Sequence, residues 1–228
     1  MKEKILNMDS IICTLMNTKR NQPLLKMVPH LEVGDMSIVF RKFVTFTKED
    51  MANHDYDFLN MPLVTDHEFQ ELEMSFQQLF EQAMDNTHKL LPTFIQGSQF
   101  WEKFCAETDI HLDDDERQAL LDSPLHIVTN KYMKYASIGL LNIGLFCQFS
   151  EIHNSDLIII PSSTHELLFF KSDIYETALQ KCLEQVKEVN SMLPPCTVLS
   201  DAVYFYSRET HTLSMFTDEG FLIIASGN

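Results

Sequence analysis

The chain predicts an α+β fold, a mostly antiparallel sheet with flanking helices. Short runs rich in Val, Ile and Phe, such as Met36 to Phe46 and Leu157 to Ile160, read as strands. Longer segments with helical spacing lie between them, the clearest running from Ile174 to Val189. Neighbouring strand segments stand too close in sequence for parallel crossovers, so they pair antiparallel. No linker divides the 228 residues, and residues 1–228 are read as a single α+β domain.

In chain order, residues 9–27 are expected to be helical, with Ile12, Leu15, Met16, Leu24 and Leu25 apolar and Pro23 breaking or restarting the helix. Met36 to Phe46 is a strand, and Glu49 to Asn60 an acidic surface loop. Leu63-Val64-Thr65-Asp66 and Ile127-Val128-Thr129-Asn130 look alike, and each precedes a helical pattern. They are either a weak β-β-α internal repeat, with a hairpin leading into each helix, or a coincidence over few positions. In the first of these helices, Ser75 with Gln78 forms a capping box and Met74 with Leu79 a hydrophobic staple. Phe76, Leu79, Phe80, Ala83, Met84, Leu90 and Leu91 recur at helical spacing until Pro92.

Residues 98–123 hold one or two helices, with Phe100, Trp101, Phe104, Leu120 and Leu121 as core positions. Asp113-Asp114-Asp115-Glu116 caps a helix beginning near Glu116, its carboxylates at the positive end of the dipole. Leu157 to Ile160 and Leu167 to Phe170 are neighbouring strands joined by Pro161 to Glu166. Asp173 with Glu176 caps a long helix whose apolar set is Ile174, Ala178, Leu179, Cys182, Leu183, Val186 and Val189, stopped by Pro194-Pro195. Ala202 to Tyr206 and Thr212 to Phe216 form a terminal hairpin, and Phe221 to Ala225 a last strand.

Composition narrows the function classes. Net charge is -16, from 33 acids against 17 bases. Such a surface repels phosphate backbones and anionic membranes, and attracts a basic protein surface. Direct nucleic-acid and membrane partners are therefore not expected. The five cysteines form no C-x-x-C pair, and most sit in apolar patterns, as buried free thiols of a reducing compartment do. With no signal-peptide pattern and no apolar run near the ~18 residues of a membrane span, the expectation is a cytoplasmic protein. Phosphate-binding glycine motifs are absent, and the scattered histidines form no metal-binding pattern, so no cofactor and no metal are expected.

Two stretches concentrate chemistry-bearing residues. Pro161 to Glu166 carries Ser162, Ser163, His165 and Glu166, the residue types of a nucleophile, a base and an orienting carboxylate. If the segment is extended, His165 and Glu166 point to opposite faces and form no dyad. There is also no G-x-S-x-G elbow. A strand connection whose hydroxyls satisfy turn amides is the preferred reading. In the second stretch, alternation from Asp201 places Tyr204, Tyr206 and Arg208 on one face. That face either binds a ligand or partner, or packs in the fold with its phenols reaching polar partners at the rim; the latter is preferred.

These stretches, together with Asn17-x-x-x-Asn21, Val28-Pro29-His30, Met36 to Phe40, Val64-Thr65-Asp66, Asn86-Thr87, Leu91-Pro92, Val128-Thr129-Asn130 and Val189-Asn190, resemble an uncharacterised bacterial domain family of unknown function. Its signature reads here as Pro161-Ser162-Ser163-x-His165-Glu166, Val189-Asn190 and Leu199-Ser200-Asp201-x-Val203-Tyr204-x-Tyr206-x-Arg208. The resemblance spans about residues 12 to 216 and implies cytosolic members. It lacks glycines expected after Thr65 and Thr129, and N-terminal residues that many members carry. The resemblance implies no activity.

Two functions follow as expectations. The first is a non-catalytic cytosolic interaction or regulatory protein with a basic partner. One form of it is an inhibitor, carried on a mobile element, that blocks a nucleic-acid-binding enzyme by charge mimicry. The alternative is a hydrolase or small-ligand protein built on Ser162, Ser163 and His165, with Asp201, Tyr204, Tyr206 and Arg208 as binding residues.

Overall fold

A computed structural model describes residues 7–44, 61–97, 113–121, 124–172, 176–194 and 197–227. The expected acidic loop, the aromatic positions Phe100, Trp101 and Phe104, the cap residue Asp173 and the thiols Cys105 and Cys196 lie outside these residues. The chain divides into two units, Met1–Pro92 and Thr93–Asn228. No helix among the described residues is long and apolar enough to cross a membrane.

In the first unit, the segment expected to be helical starts in a 3-10 turn (Met8–Ser10) and runs straight into strand β1 (Ile11–Asn17); only α1 (Gln22–Leu25) is α-helical, with Pro23 in its first turn. All seven β1 residues are buried. A run with no polar face matches either period, and β-branched Ile11, Ile12 and Thr14 then favour the strand. Strands β2 (His30–Val33) and β3 (Met36–Lys42) complete an antiparallel sheet ordered β1-β3-β2, with Leu15 opposite Ile38. Gly34, at φ 62, makes the tight β2–β3 turn. Met16, Leu25, Val28 and Val39 pack together and anchor α1.

Helices α2 (Asp66–Glu71) and α3 (Phe76–Leu90) each begin with a capping box, Thr65 with Glu68 and Ser75 with Gln78. The second was legible in sequence. Helix α3 then closes the β1 edge. Asn86 Nδ2 donates to the carbonyls of Met8 (2.7 Å) and Ile11 (2.9 Å). Thr87 Oγ1 accepts from the Cys13 amide (2.8 Å) and donates to the Ala83 carbonyl (2.6 Å). Two side chains thus satisfy backbone groups that a further strand would otherwise pair. Burial pushes the enclosed Cys13 thiol up to about 12.

The second unit is built on a fully antiparallel seven-stranded sheet ordered β10-β9-β8-β6-β7-β5-β4. In chain order its strands are β4 (Phe94–Gln96), β5 (His126–Thr129), β6 (Asp156–Ile160), β7 (Leu167–Ser172), β8 (Val203–Ser207), β9 (Thr212–Thr217) and β10 (Gly220–Ser226). Its helices are α4 (Asp114–Leu121), α5 (Ile143–His153) and α6 (Glu176–Met192), with a 3-10 segment at Ala136–Leu141. Asp113 and Glu116 exchange side-chain-to-amide bonds of 2.8 and 3.0 Å, which starts α4 two residues earlier than expected.

Both faces of the sheet centre are covered. On one, Leu179, Leu183 and Val186 of α6 pack on Ile158, Val203 and Phe216. On the other, Phe146 of α5 meets the rings of Phe169 (6.0 Å) and Tyr206 (6.3 Å). Leu63 makes a single bridge to Arg41 before Thr65 caps α2, and β5 runs into a turn and the 3-10 segment. Neither place forms the hairpin of the expected β-β-α repeat, because Thr65 and Asn130 commit their side chains to a cap and a turn.

Candidate functional site

Antiparallel pairing of β6 with β7 makes Pro161 to Glu166 a strand connection. Its polar groups are used locally. Ser163 Oγ accepts from the His165 amide at 3.0 Å. The Ser162 hydroxyl donates to the Glu166 carbonyl (3.4 Å) and faces its carboxylate at 3.5 Å. Burial raises the Glu166 carboxyl above its usual range, and the Ser162 contact opposes the rise. His165 turns toward a different segment: its Nδ1 accepts from the Tyr135 amide (3.3 Å), and its ring meets the Tyr135 ring edge-on at 5.3 Å.

That neighbouring segment is residues 130–137. Met133 and Tyr135 hold left-handed backbone, φ 52 and 55, which costs roughly 1–2 kcal/mol per residue. Buried Asn130 offsets this: it donates to the Lys134 carbonyl (2.6 Å) and accepts from the Tyr132 amide (3.0 Å). The Ala136 amide donates to the His165 carbonyl (3.1 Å), and the Ser137 hydroxyl to the Thr164 carbonyl (2.7 Å). Ser162 and Glu166 therefore share one set of partners, and Ser163 and His165 another.

The second sequence-derived group is spread over several elements. Asp201 Oδ1 accepts from Asn190 Nδ2 of α6 at 2.9 Å. Tyr204 and Tyr206 are fully buried. The Tyr204 hydroxyl donates to Met215 Sδ (3.5 Å), and the Tyr206 hydroxyl lies 3.2 Å from His211 Nδ1. Arg208 sits past the end of β8, with its amide on Asp156 Oδ1 (2.7 Å) and its guanidinium 3.6 Å from Glu151 of α5.

A cluster that sequence reasoning did not assemble surrounds Tyr206. Cys147 of α5 places Sγ 3.7 Å from His211 Nδ1, in the β8–β9 turn. His211 has left-handed backbone, φ 52, and its carbonyl accepts from the Gly227 amide at 2.8 Å. A Cβ on Gly227 would meet Ile143 Cγ2 at 3.3 Å and His211 atoms at 3.4 Å, so the C-terminal segment lies in close contact with this turn. Cys147 and His211 stand 64 residues apart, a spacing with no motif value. The only sequence signal was a cysteine within the apolar start of this helical segment, Ile143 to Phe149.

At the β5 end of the sheet, His126 contacts Phe149 (4.8 Å) and Phe169 (5.3 Å), and Phe149 contacts His153 (4.2 Å). Burial, then the charges of His153 and Lys171, hold the His126 imidazole below its usual pKa, against an opposing hydrogen bond to the Pro124 carbonyl. Unfolding restores the ordinary value of about 6.5. Its contribution to stability is therefore complete above that pH and is lost as pH falls through it toward the folded value. Denaturation midpoints of the wild type should decline from pH 7.5 to 5, and His126→Phe should flatten the decline. Equal slopes in the two proteins would remove His126 as its cause.

Among the described residues, no group of three or more His, Cys, Asp or Glu is arranged to hold a metal ion. No curated protein and no solved structure matches the chain. A model described as a family of unknown function (DUF5688) matches residues 4–208, the stretch that contains both sequence-derived groups. The chain belongs to that family.

Proposed function

We propose that the protein is a non-catalytic cytoplasmic interaction protein that presents its β10 edge to a basic partner. The observation that carries this reading is β10 itself. It ends the seven-stranded sheet, and Phe221, Leu222 and Ile223 are 53%, 53% and 66% exposed. Its sequence, Gly220 to Ser226, carries no charge, whereas the chain as a whole carries -16. Exposed apolar edge strands are ordinarily blunted by charges or proline, and an open one is a template for an added strand. The occupant is an extended apolar segment of a basic protein, because net charge opposes a second acidic copy and attracts a basic surface. Inhibition of a nucleic-acid-binding enzyme, with carboxylates in its phosphate groove, is a specific form of this reading.

The test is retention from a bacterial lysate at low and moderate salt, with the wild type beside a Leu222→Lys/Ile223→Lys double variant. The wild type should retain a protein that proves basic when identified by mass, and release it as salt rises. The variant should retain none. No partner at low salt, or equal retention by the variant, would overturn the reading.

A further inference from the structure

We propose that Cys147, His211 and Tyr206 form a thiol–imidazole site that exchanges with small disulfides, cationic ones in preference to anionic ones. The pair has the arrangement that nucleophilic thiol chemistry requires, a base within reach of the sulfur and a third group beside the base. Cys147 Sγ and the Tyr206 hydroxyl both face His211 Nδ1, at 3.7 and 3.2 Å. Each can donate to Nδ1 in the tautomer that carries the ring proton on Nε2, the form in which His211 serves as the base. The Gly227 amide fixes the His211 backbone from outside the β8–β9 turn. Unlike Cys13, which is fully buried, Cys147 is only partly buried.

The exchange needs no further reactant. The Cys147 thiol passes its proton to His211 Nδ1, and the thiolate attacks one sulfur of the disulfide. A bond forms between Cys147 Sγ and that sulfur as the original S–S bond breaks. The departing sulfur leaves as a thiolate and takes the proton from His211. Cys147 is oxidised to a mixed disulfide, and the departing half of the reagent is reduced to a thiol. Once protonated, His211 Nδ1 no longer accepts from Tyr206, whose hydroxyl can then donate to the thiolate. Burial, followed by the neighbouring Cys147 thiol, raises the Tyr206 pKa, so the phenol stays a donor.

The charges facing the site set its preference. Glu151 lies one turn after Cys147 on α5, and Arg208 and Asp156 lie at the same end of β8. Arg208 is already engaged with Glu151, and the net charge of -16 disfavours an approaching anion.

The experiment measures modification of the full chain by cystamine and by oxidised glutathione across pH 5.5–9, site by site, by peptide mass. Cys147 should react at pH 7 at least about tenfold faster than Cys182, whose thiol burial raises, with cystamine ahead of oxidised glutathione. His211→Asn tolerates the left-handed backbone and should slow Cys147 about tenfold at pH 7. Tyr206→Phe keeps the ring packing and should slow it several-fold. The site is disproved if wild-type Cys147 reacts no faster than Cys182 at pH 7. It is equally disproved if neither variant changes the rate while circular dichroism shows both folded. Faster reaction with oxidised glutathione would overturn the charge preference.

Discussion

Asn86→Asp is expected to destabilise the first unit by about 2–4 kcal/mol, although it changes neither side-chain shape nor volume. The native amide donates to the Met8 and Ile11 carbonyls, 78 and 75 residues away. The aspartate has no donor when ionised, so it leaves both carbonyls unpaired and sets a third acceptor against them. A net hydrogen bond contributes about 1 kcal/mol, and each buried group left unsatisfied costs about 1–3 kcal/mol. Chemical denaturation measures the total, and amide exchange at β1 locates it. Exchange at Cys13 should quicken as well, because Thr87, the next α3 residue, accepts from that amide. A shift below 1 kcal/mol would mean that Asn86 fills space without holding the edge.

The second large effect is expected at Leu183→Ala, about 2–5 kcal/mol in the second unit. Leu183 is fully buried between Leu179 and Val186 on α6 and the Ile158, Val203 and Phe216 surface. Truncation removes transfer energy and leaves a cavity that well-packed strands refill poorly. Val189→Ala on the same helix is the control: Val189 is 51% exposed and should change stability by less than about 0.5 kcal/mol. Paired denaturation curves decide it, and equal effects at the two positions would refute the packing described for α6.

That contrast also shows what sequence can and cannot reveal. Helical spacing placed Leu179, Leu183 and Val186 correctly, then added Val189 because it is apolar. The buried face instead continues to Asn190, whose amide donates to the Ser200 carbonyl and Asp201 Oδ1, both at 2.9 Å. A polar residue that caps a loop is invisible to a hydrophobic pattern. The same blindness applied to β1, where complete burial erased the alternation that marks a strand. The capping box at Ser75, the β6–β7 pairing and the α+β class were legible because each rests on local spacing. Alternation also placed Tyr204 and Tyr206 on one face of β8, and both are fully buried there. The Cys147–His211 contact was not legible: it joins a helix to a hairpin turn, and only the sheet order brings the two together.

The closure of β1 by Asn86 and Thr87 has a consequence for biosynthesis. The Cys13 amide meets its acceptor 74 residues later in the chain. During synthesis the apolar run from Ile11 to Met16 emerges well before the helix that seals it. A nascent chain exposes its strand edges until their partners arrive, and such edges drive aggregation. The first unit therefore completes only after α3 has left the ribosome, and a chain truncated before Asn86 is expected to need a holdase chaperone to stay soluble.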